Sequence, residues 1–263
     1  MITPSINTLG FPDWTIYQVI DFAAAHRVPF IEIRALQNTV NLLSLPDFNT
    51  SAGLNRVSAR LREKGVRLIG LNLGFHLQDD LSTHAETIRR YAEAAQAVDA
   101  PYLRFFSGGR PSERPDLQRL AQGAKLVQQL LEPFPVRMIV ETHDSLVRST
   151  DILALNEILG GKLNLLWDIA HTRNHGGEPW QATFDALRPL IRYLHVKDTR
   201  KAGEQIQNTL LFEGDLQVRE LLSYLAGLPE EWIVSFEWEK MWDPTLALGD
   251  QAAGDFLEKL KTI

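Results

Sequence analysis

The 263-residue sequence contains no cysteine. Disulfides, thiolate zinc sites and a cysteine nucleophile are therefore excluded. The absence agrees with a reducing cytoplasm, the expected location. No stretch approaches the roughly 18 apolar residues of a membrane span. The first ten residues have no cationic region ahead of an apolar one, so a secretory signal is not expected. Basic charge is not in excess either: 27 Lys and Arg stand against 33 Asp and Glu, for a net charge of −6. Nucleic acids and anionic membranes need a basic face, so neither is an expected partner. There is no glycine-rich turn after the first apolar run, no phosphate loop, no heptad array and no low-complexity linker.

Four short apolar runs stand out in the second half. They are Val136–Glu141, Leu163–Asp168, Ile191–His195 and Trp232–Glu237, and each ends in a carboxylate or a histidine. Their length and their content of β-branched and aromatic residues mark buried strands. Strand ends are wet and tolerate charge, which would explain any one of these endings. Four in succession, spaced 27, 27 and 42 residues apart (141 to 168, 168 to 195, 195 to 237), suggest ends converging on one point. Two Glu, one Asp and one His make an oxygen-rich divalent-metal set with one imidazole.

The whole chain alternates apolar runs with segments of helical spacing. Further strands are expected at Ile2–Leu9, Pro29–Arg34, Val66–Leu73 and Tyr102–Phe106, which brings the total to eight. Expected helices run over Trp14–His26, Asn55–Lys64, Ala85–Val98, Leu117–Leu131, Ser149–Leu159, Ala182–Leu190, Val218–Ala226 and Asp250–Lys261. Strands alternating with helices mean a parallel sheet. Eight such units in about 250 residues have the size of a (β/α)8 TIM barrel, here one domain over residues 1–263. A doubly wound open sheet is the second choice. In barrels of this kind chemistry sits at the C-terminal strand ends, where the four residues fall.

Several residues flank that point. His171 follows Asp168 by three positions and faces the same mouth or caps a helix. Lys197 shares a strand side with His195; it either holds a substrate oxygen or pairs with a carboxylate, and Asp198 orients ligands or opens the loop. Arg200 and Lys201 lie in a long polar loop, as substrate cations or as solvated charges. Glu32 and Arg34 close the second strand on one side, as substrate contacts or as a mutual ion pair. His143 is a ligand, a substrate contact or a loop residue. Phe11, Trp14, Phe75, Trp238 and Trp242 wall a pocket or simply pack.

Taken together, Glu141-Thr-His143, Trp167-Asp-Ile-Ala-His171, His195-Val-Lys-Asp198, Phe212-Glu-Gly-Asp215 and Phe236-Glu237 resemble the xylose-isomerase-like barrel superfamily, in particular its sugar (phosphate) isomerase/epimerase branch. The resemblance implies that Glu141, Asp168, His195 and Glu237 are the metal ligands and that Glu141 and Glu237 double as the acid–base pair. It places His171 on the substrate, together with a cation near Arg200 and Lys201. The DNA-repair endonucleases of the superfamily carry extra histidines where this chain has Asn72 and Ser107, so DNA cleavage is not expected.

The expected cofactor is one divalent ion: Mn²⁺, Mg²⁺ or Co²⁺, with Zn²⁺ also admissible. The expected activity is that of an isomerase or epimerase of carbohydrate metabolism. It removes an α-proton from a carbohydrate substrate and stabilises the enediolate. A dehydratase of an inosose-like or dehydroshikimate-like substrate shares that first step and is the alternative. A metal-binding barrel without catalysis is a third reading, and a homo-oligomer is compatible with all of them.

Overall fold

The eight apolar runs close into a parallel barrel in the computed structural model, which describes residues 1–203 and 205–263. The strands are β1 (Ile2–Asn7), β2 (Phe30–Ile33), β3 (Arg67–His76), β4 (Tyr102–Phe106), β5 (Arg137–Glu141), β6 (Leu165–Asp168), β7 (Ile191–Val196) and β10 (Trp232–Phe236). Around the barrel the order is β1, β10, β7, β6, β5, β4, β3, β2. A separate antiparallel hairpin, β8 (Asp198–Ala202) with β9 (Gln205–Thr209), fills part of the expected polar loop. Helices separate successive barrel strands, so the fold is a single (β/α)8 TIM barrel. Among the described residues no helix is long and apolar enough to cross a membrane.

Local signals set the helix limits. Thr15 and Gln18 form a reciprocal capping box at the start of helix Ile16–Ala25, which satisfies otherwise orphaned backbone donors. Helix Ser51–Lys64 ends at Gly65 with φ of 67°, a left-handed closure that glycine adopts without penalty. The apolar helix stripes, such as Ile16, Val19, Ile20 and Val57, Leu61, join the outward strand residues in one core.

The inward side chains stack in levels, because alternate strand residues share a face. A small apolar cluster of Ile69, Ile139, Leu166 and Tyr193, separate from the main core, forms the floor. Two residues further along, β5, β6 and β7 present Glu141, Asp168 and His195, level with Ser235 of β10, and all four are buried. The register pairs Asp168 with His195, and His195 with Ser235. One step beyond stand Arg34, Phe106, His143, Lys197 and Glu237. The sequence therefore moves from oil to charge along the barrel axis within two alternations.

Candidate metal centre and active site

Glu141, Asp168, His195 and Glu237 each offer a ligand atom, and these atoms all lie within 4.8 Å of one another. They come from four consecutive barrel positions, β5, β6, β7 and the end of β10, with the two glutamates outermost in the arc. His195 Nδ1 is 3.4 Å from Glu141, 3.9 Å from Asp168 and 3.3 Å from Glu237.

Each ligand candidate is held by its other atoms. Asp168 caps helix Ile169–Asn174: its Oδ1 accepts from the Ala170 and His171 amides at 2.8 and 3.1 Å. Its Oδ2 is left facing the cluster without a hydrogen bond, 2.9 Å from Lys197 Nζ. Glu141 Oε2 is likewise buried without a hydrogen bond, 3.2 Å from Arg104 Nε. Lys197 also donates to Glu237 at 2.8 Å and to Glu239 at 2.6 Å.

His195 shows how the barrel interior orients a ligand. Its Nε2 lies 2.7 Å from Glu32 Oε2, while its Nδ1, aimed at the three carboxylates, has no hydrogen-bond partner. A carboxylate on one imidazole nitrogen fixes a proton there; against burial, the neighbouring carboxylates favour a second proton on Nδ1, which a metal would displace to take that lone pair. Glu32 is in turn clamped by Tyr193 and Asn72 at 2.7 Å, Ser235 at 2.8 Å and Asn7 at 3.1 Å. Glu32 was predicted to contact substrate. Its carboxylate is instead fully buried beneath the cluster, and it does not pair with Arg34.

The charges respond to this crowding. Burial opposes ionisation of Glu141, but Arg104 and His195 outweigh it and bring the carboxyl down to about 2. Burial likewise opposes the charge on Glu237, and His195 and Lys197 hold its carboxyl well below the usual range. Asp168 is pushed up to about 6 by burial, with Glu237 and Glu141 adding to the rise against Lys197. Both outer carboxylates are thus ionised at neutral pH, as a base must be.

His171 sits at the rim, with Nε2 3.6 Å from Asp168 Oδ2 and its ring 4.2 Å from that of His143. Burial, helped by His143 and Lys197, keeps His171 neutral. Burial also opposes the charge on His143, but its 2.7 Å contact with Asp144 and the charge of Glu141 raise its pKa. The structure does not bring Arg200 and Lys201 to the cluster. Both are exposed on the β8–β9 hairpin, where Arg200 donates to the Glu213 carbonyl. Both belong to strand β8 of the hairpin, whose pairing with β9 their sequence position alone could not reveal. Phe11 and Trp14 pack with Phe22, and Trp238 stacks on Phe236. Trp242 is exposed beside Arg34.

Arg104 was missed by the sequence reading. A charge within the apolar run Tyr102-Leu-Arg-Phe-Phe106 was the available signal, because a buried strand rarely carries one without a partner.

A family model described as xylose isomerase-like TIM barrel matches residues 20–260, and the chain belongs to that family. The probable 3-DHS dehydratase AsbF of Bacillus anthracis is structurally similar, with a TM-score of 0.75 at 18% identity, covering 98% of both chains. The 3-keto-D-glucoside 4-epimerase YcjR of E. coli gives 0.74 at 15% identity, covering 100% of each chain. The IolI protein, whose structure carries a zinc atom, gives 0.75 at 14% identity, covering 99% of this chain and 96% of that one. No protein of curated function matches the sequence.

Proposed function

We propose that this chain is a divalent-metal-dependent isomerase or epimerase of a sugar or sugar phosphate, with Glu141 and Glu237 as its acid–base pair. The supporting observation is the set of bare buried atoms. His195 Nδ1, Glu141 Oε2 and Asp168 Oδ2 are buried at one cluster without hydrogen-bond partners, Glu141 Oε2 beside Arg104 and Asp168 Oδ2 beside Lys197. Buried polar atoms are rarely left unsatisfied, and three at one point fit an absent cation. One histidine among three carboxylates suits Mn²⁺, Mg²⁺ or Co²⁺, with Zn²⁺ admissible. Bound between these four residues, the ion would polarise a substrate carbonyl and acidify its α-proton.

The chain's own groups then divide the work. Glu141 and Glu237 flank the cluster from opposite ends of its arc, so one ionised carboxylate removes a proton and the other, after taking a proton from solvent, returns one. Return to the same carbon from the other face epimerises it, and return to the neighbouring carbon isomerises the sugar. Lys197 and His171 border the same space and are proposed to orient substrate oxygens. Glu32 is proposed to act through His195 rather than on substrate.

A dehydratase is the second reading. Among the structural relatives is a probable 3-DHS dehydratase. Lys197, held charged by Asp168 2.9 Å away and Glu237 2.8 Å away, would stabilise the negative charge on a departing hydroxyl by hydrogen bonding. The test is NMR-detected exchange in D₂O, run on chelated and Mn²⁺-reconstituted protein with a panel of sugars, sugar phosphates and cyclitols. Metal-dependent deuterium at the α-carbon with the carbon skeleton intact is expected. Deuterium accompanied by loss of water would select the dehydratase, and no metal-dependent exchange on any substrate would overturn both.

A further inference from the structure

Arg34 and Arg104 stand together at the mouth, around Phe106. The Arg104 guanidinium carbon lies 3.7 Å from the Phe106 ring centroid, and that of Arg34 lies 5.9 Å from it. Arg34 is also 5.9 Å from the exposed ring of Trp242. Both arginines are almost wholly buried, Arg34 at 8% and Arg104 at 1% exposure. Arg34 Nη1 and Arg104 Nε and Nη1 are buried with no hydrogen-bond partner. Arg104 has one carboxylate near it, Glu141 at 3.2 Å. Among the described residues the Arg34 side chain has no ion-pair partner.

Burying one guanidinium without a carboxylate is costly, and placing a second beside it adds repulsion. Aromatic faces relieve part of the charge but satisfy none of the N–H donors. Burial and the nearby Arg104 together lower the Arg34 guanidinium to about 10. The fold carries this cost at the strand ends, beside a candidate metal ligand. Hydroxyls of a neutral sugar would accept the hydrogen bonds but would not neutralise Arg34, which has no carboxylate partner of its own among the described residues.

We infer that Arg34 and Arg104 form an oxyanion subsite, and that the substrate carries a carboxylate or a phosphate bound there. This rests on the reading of the neighbouring cluster as the place where the rest of the substrate sits. It narrows the substrate to an acidic one, a hydroxy acid or a sugar phosphate. A planar guanidinium presents paired donors that match either group. Trp242 covers the outer side of Arg34 and would shield the ion pair from water.

The test separates this subsite from the metal centre. Calorimetric titration of dialysed, metal-free protein with inorganic phosphate and, separately, with acetate at low ionic strength should show binding of at least one. Arg34→Met should weaken it tenfold or more, and Arg34→Lys, which keeps the charge but not the paired donors, should restore only part of it. On Mn²⁺-loaded protein, D-gluconate or D-fructose 6-phosphate should lose affinity in Arg34→Met, with D-fructose changing less than threefold. Binding of acetate and gluconate would identify a carboxylate, and binding of phosphate and the sugar phosphate a phosphoryl group. In anion-free buffer Arg34→Met should melt no lower than wild type. The inference is overturned if neither anion binds wild type, if Arg34→Met binds both anions unchanged, if D-fructose loses as much as the anions, or if the variant melts several degrees lower. Phosphate binding that survives when Mn²⁺ fails to bind would refute the metal centre and leave this subsite standing.

Discussion

Glu32 and Arg34 are two residues apart on one strand face, and the two levels they occupy are opposites. Around Glu32 a buried carboxylate meets Tyr193, Asn72, Asn7, Ser235 and His195, all within 3.1 Å. Around Arg34, Arg104, Glu141 and Asp168, buried donors and acceptors face one another without hydrogen bonds. The groups named at both levels are buried, so solvent does not account for the difference. The Glu32 carboxylate has its hydrogen bonds filled from within the barrel, which holds its partners still, and His195 Nδ1 and Asn72 Oδ1 are the atoms of that shell left without a partner. The unsaturated network at the mouth of the same barrel is complete only with something added. The contrast separates scaffolding from binding surface more sharply than burial or charge does.

The contrast can be broken at each level. The largest effect is expected at the rim, from Glu141→Gln and Glu237→Gln at saturating metal. Each keeps an oxygen but removes a base, and α-proton exchange should fall by about 10²–10⁴-fold. Near-wild-type exchange in both variants would end the two-carboxylate mechanism.

At the Glu32 level, Glu32→Leu should cost about 3–5 kcal/mol in urea unfolding, because it leaves the Tyr193, Asn72, Ser235 and His195 Nε2 donors buried without their acceptor. The milder Glu32→Gln should weaken Mn²⁺ or Co²⁺ affinity by about 10–100-fold, the usual consequence of losing a ligand's orienting partner. Unchanged affinity would show that His195 needs no such support. Asp168→Asn should act through metal affinity and recover in part with excess ion, and full affinity without the excess would move the site elsewhere.

A smaller effect is expected from the metal itself. Supplying the ion at about 100 times its dissociation constant should stabilise the chelated protein by about 2.7 kcal/mol, seen as a rise in Tm. No rise with any of the four candidate ions would leave the bare atoms unexplained. The smallest change is expected for Arg200→Ala. Its side chain lies on the exposed hairpin and bonds a backbone carbonyl, so exchange should stay within about twofold and stability within about 0.5 kcal/mol. A large loss of exchange would instead show that the hairpin reaches the substrate.

The strands and the four converging residues were legible because a parallel barrel strand is a short apolar run, and a charge at its end contrasts with what precedes it. The hairpin was not legible. Asp198–Ala202 and Gln205–Thr209 are mostly polar and exposed, with no apolar alternation to betray them. Helix Ile169–Asn174 is six residues long and is capped by Asp168 itself, a role that the residue's place at a strand end conceals. The shared side of Glu32 and Arg34 was visible from their spacing. That β2 would deliver Glu32 to His195, 163 residues away, depends on closure of the barrel, which no local pattern encodes. Arg104 was overlooked because it lies inside its run rather than at the end.

The clamp on Glu32 has a kinetic side. One carboxylate ties β2 to β1, β3, β7 and β10, through contacts separated by 25, 40, 161, 163 and 203 residues. Loops of that length close late in folding, after local strand–helix units have formed. His195 therefore acquires its orientation only when the last strand docks beside the first, and a partly wound barrel would hold the right residues in the wrong geometry. Ion uptake during refolding would then report completion of the ring, lagging behind the appearance of helix.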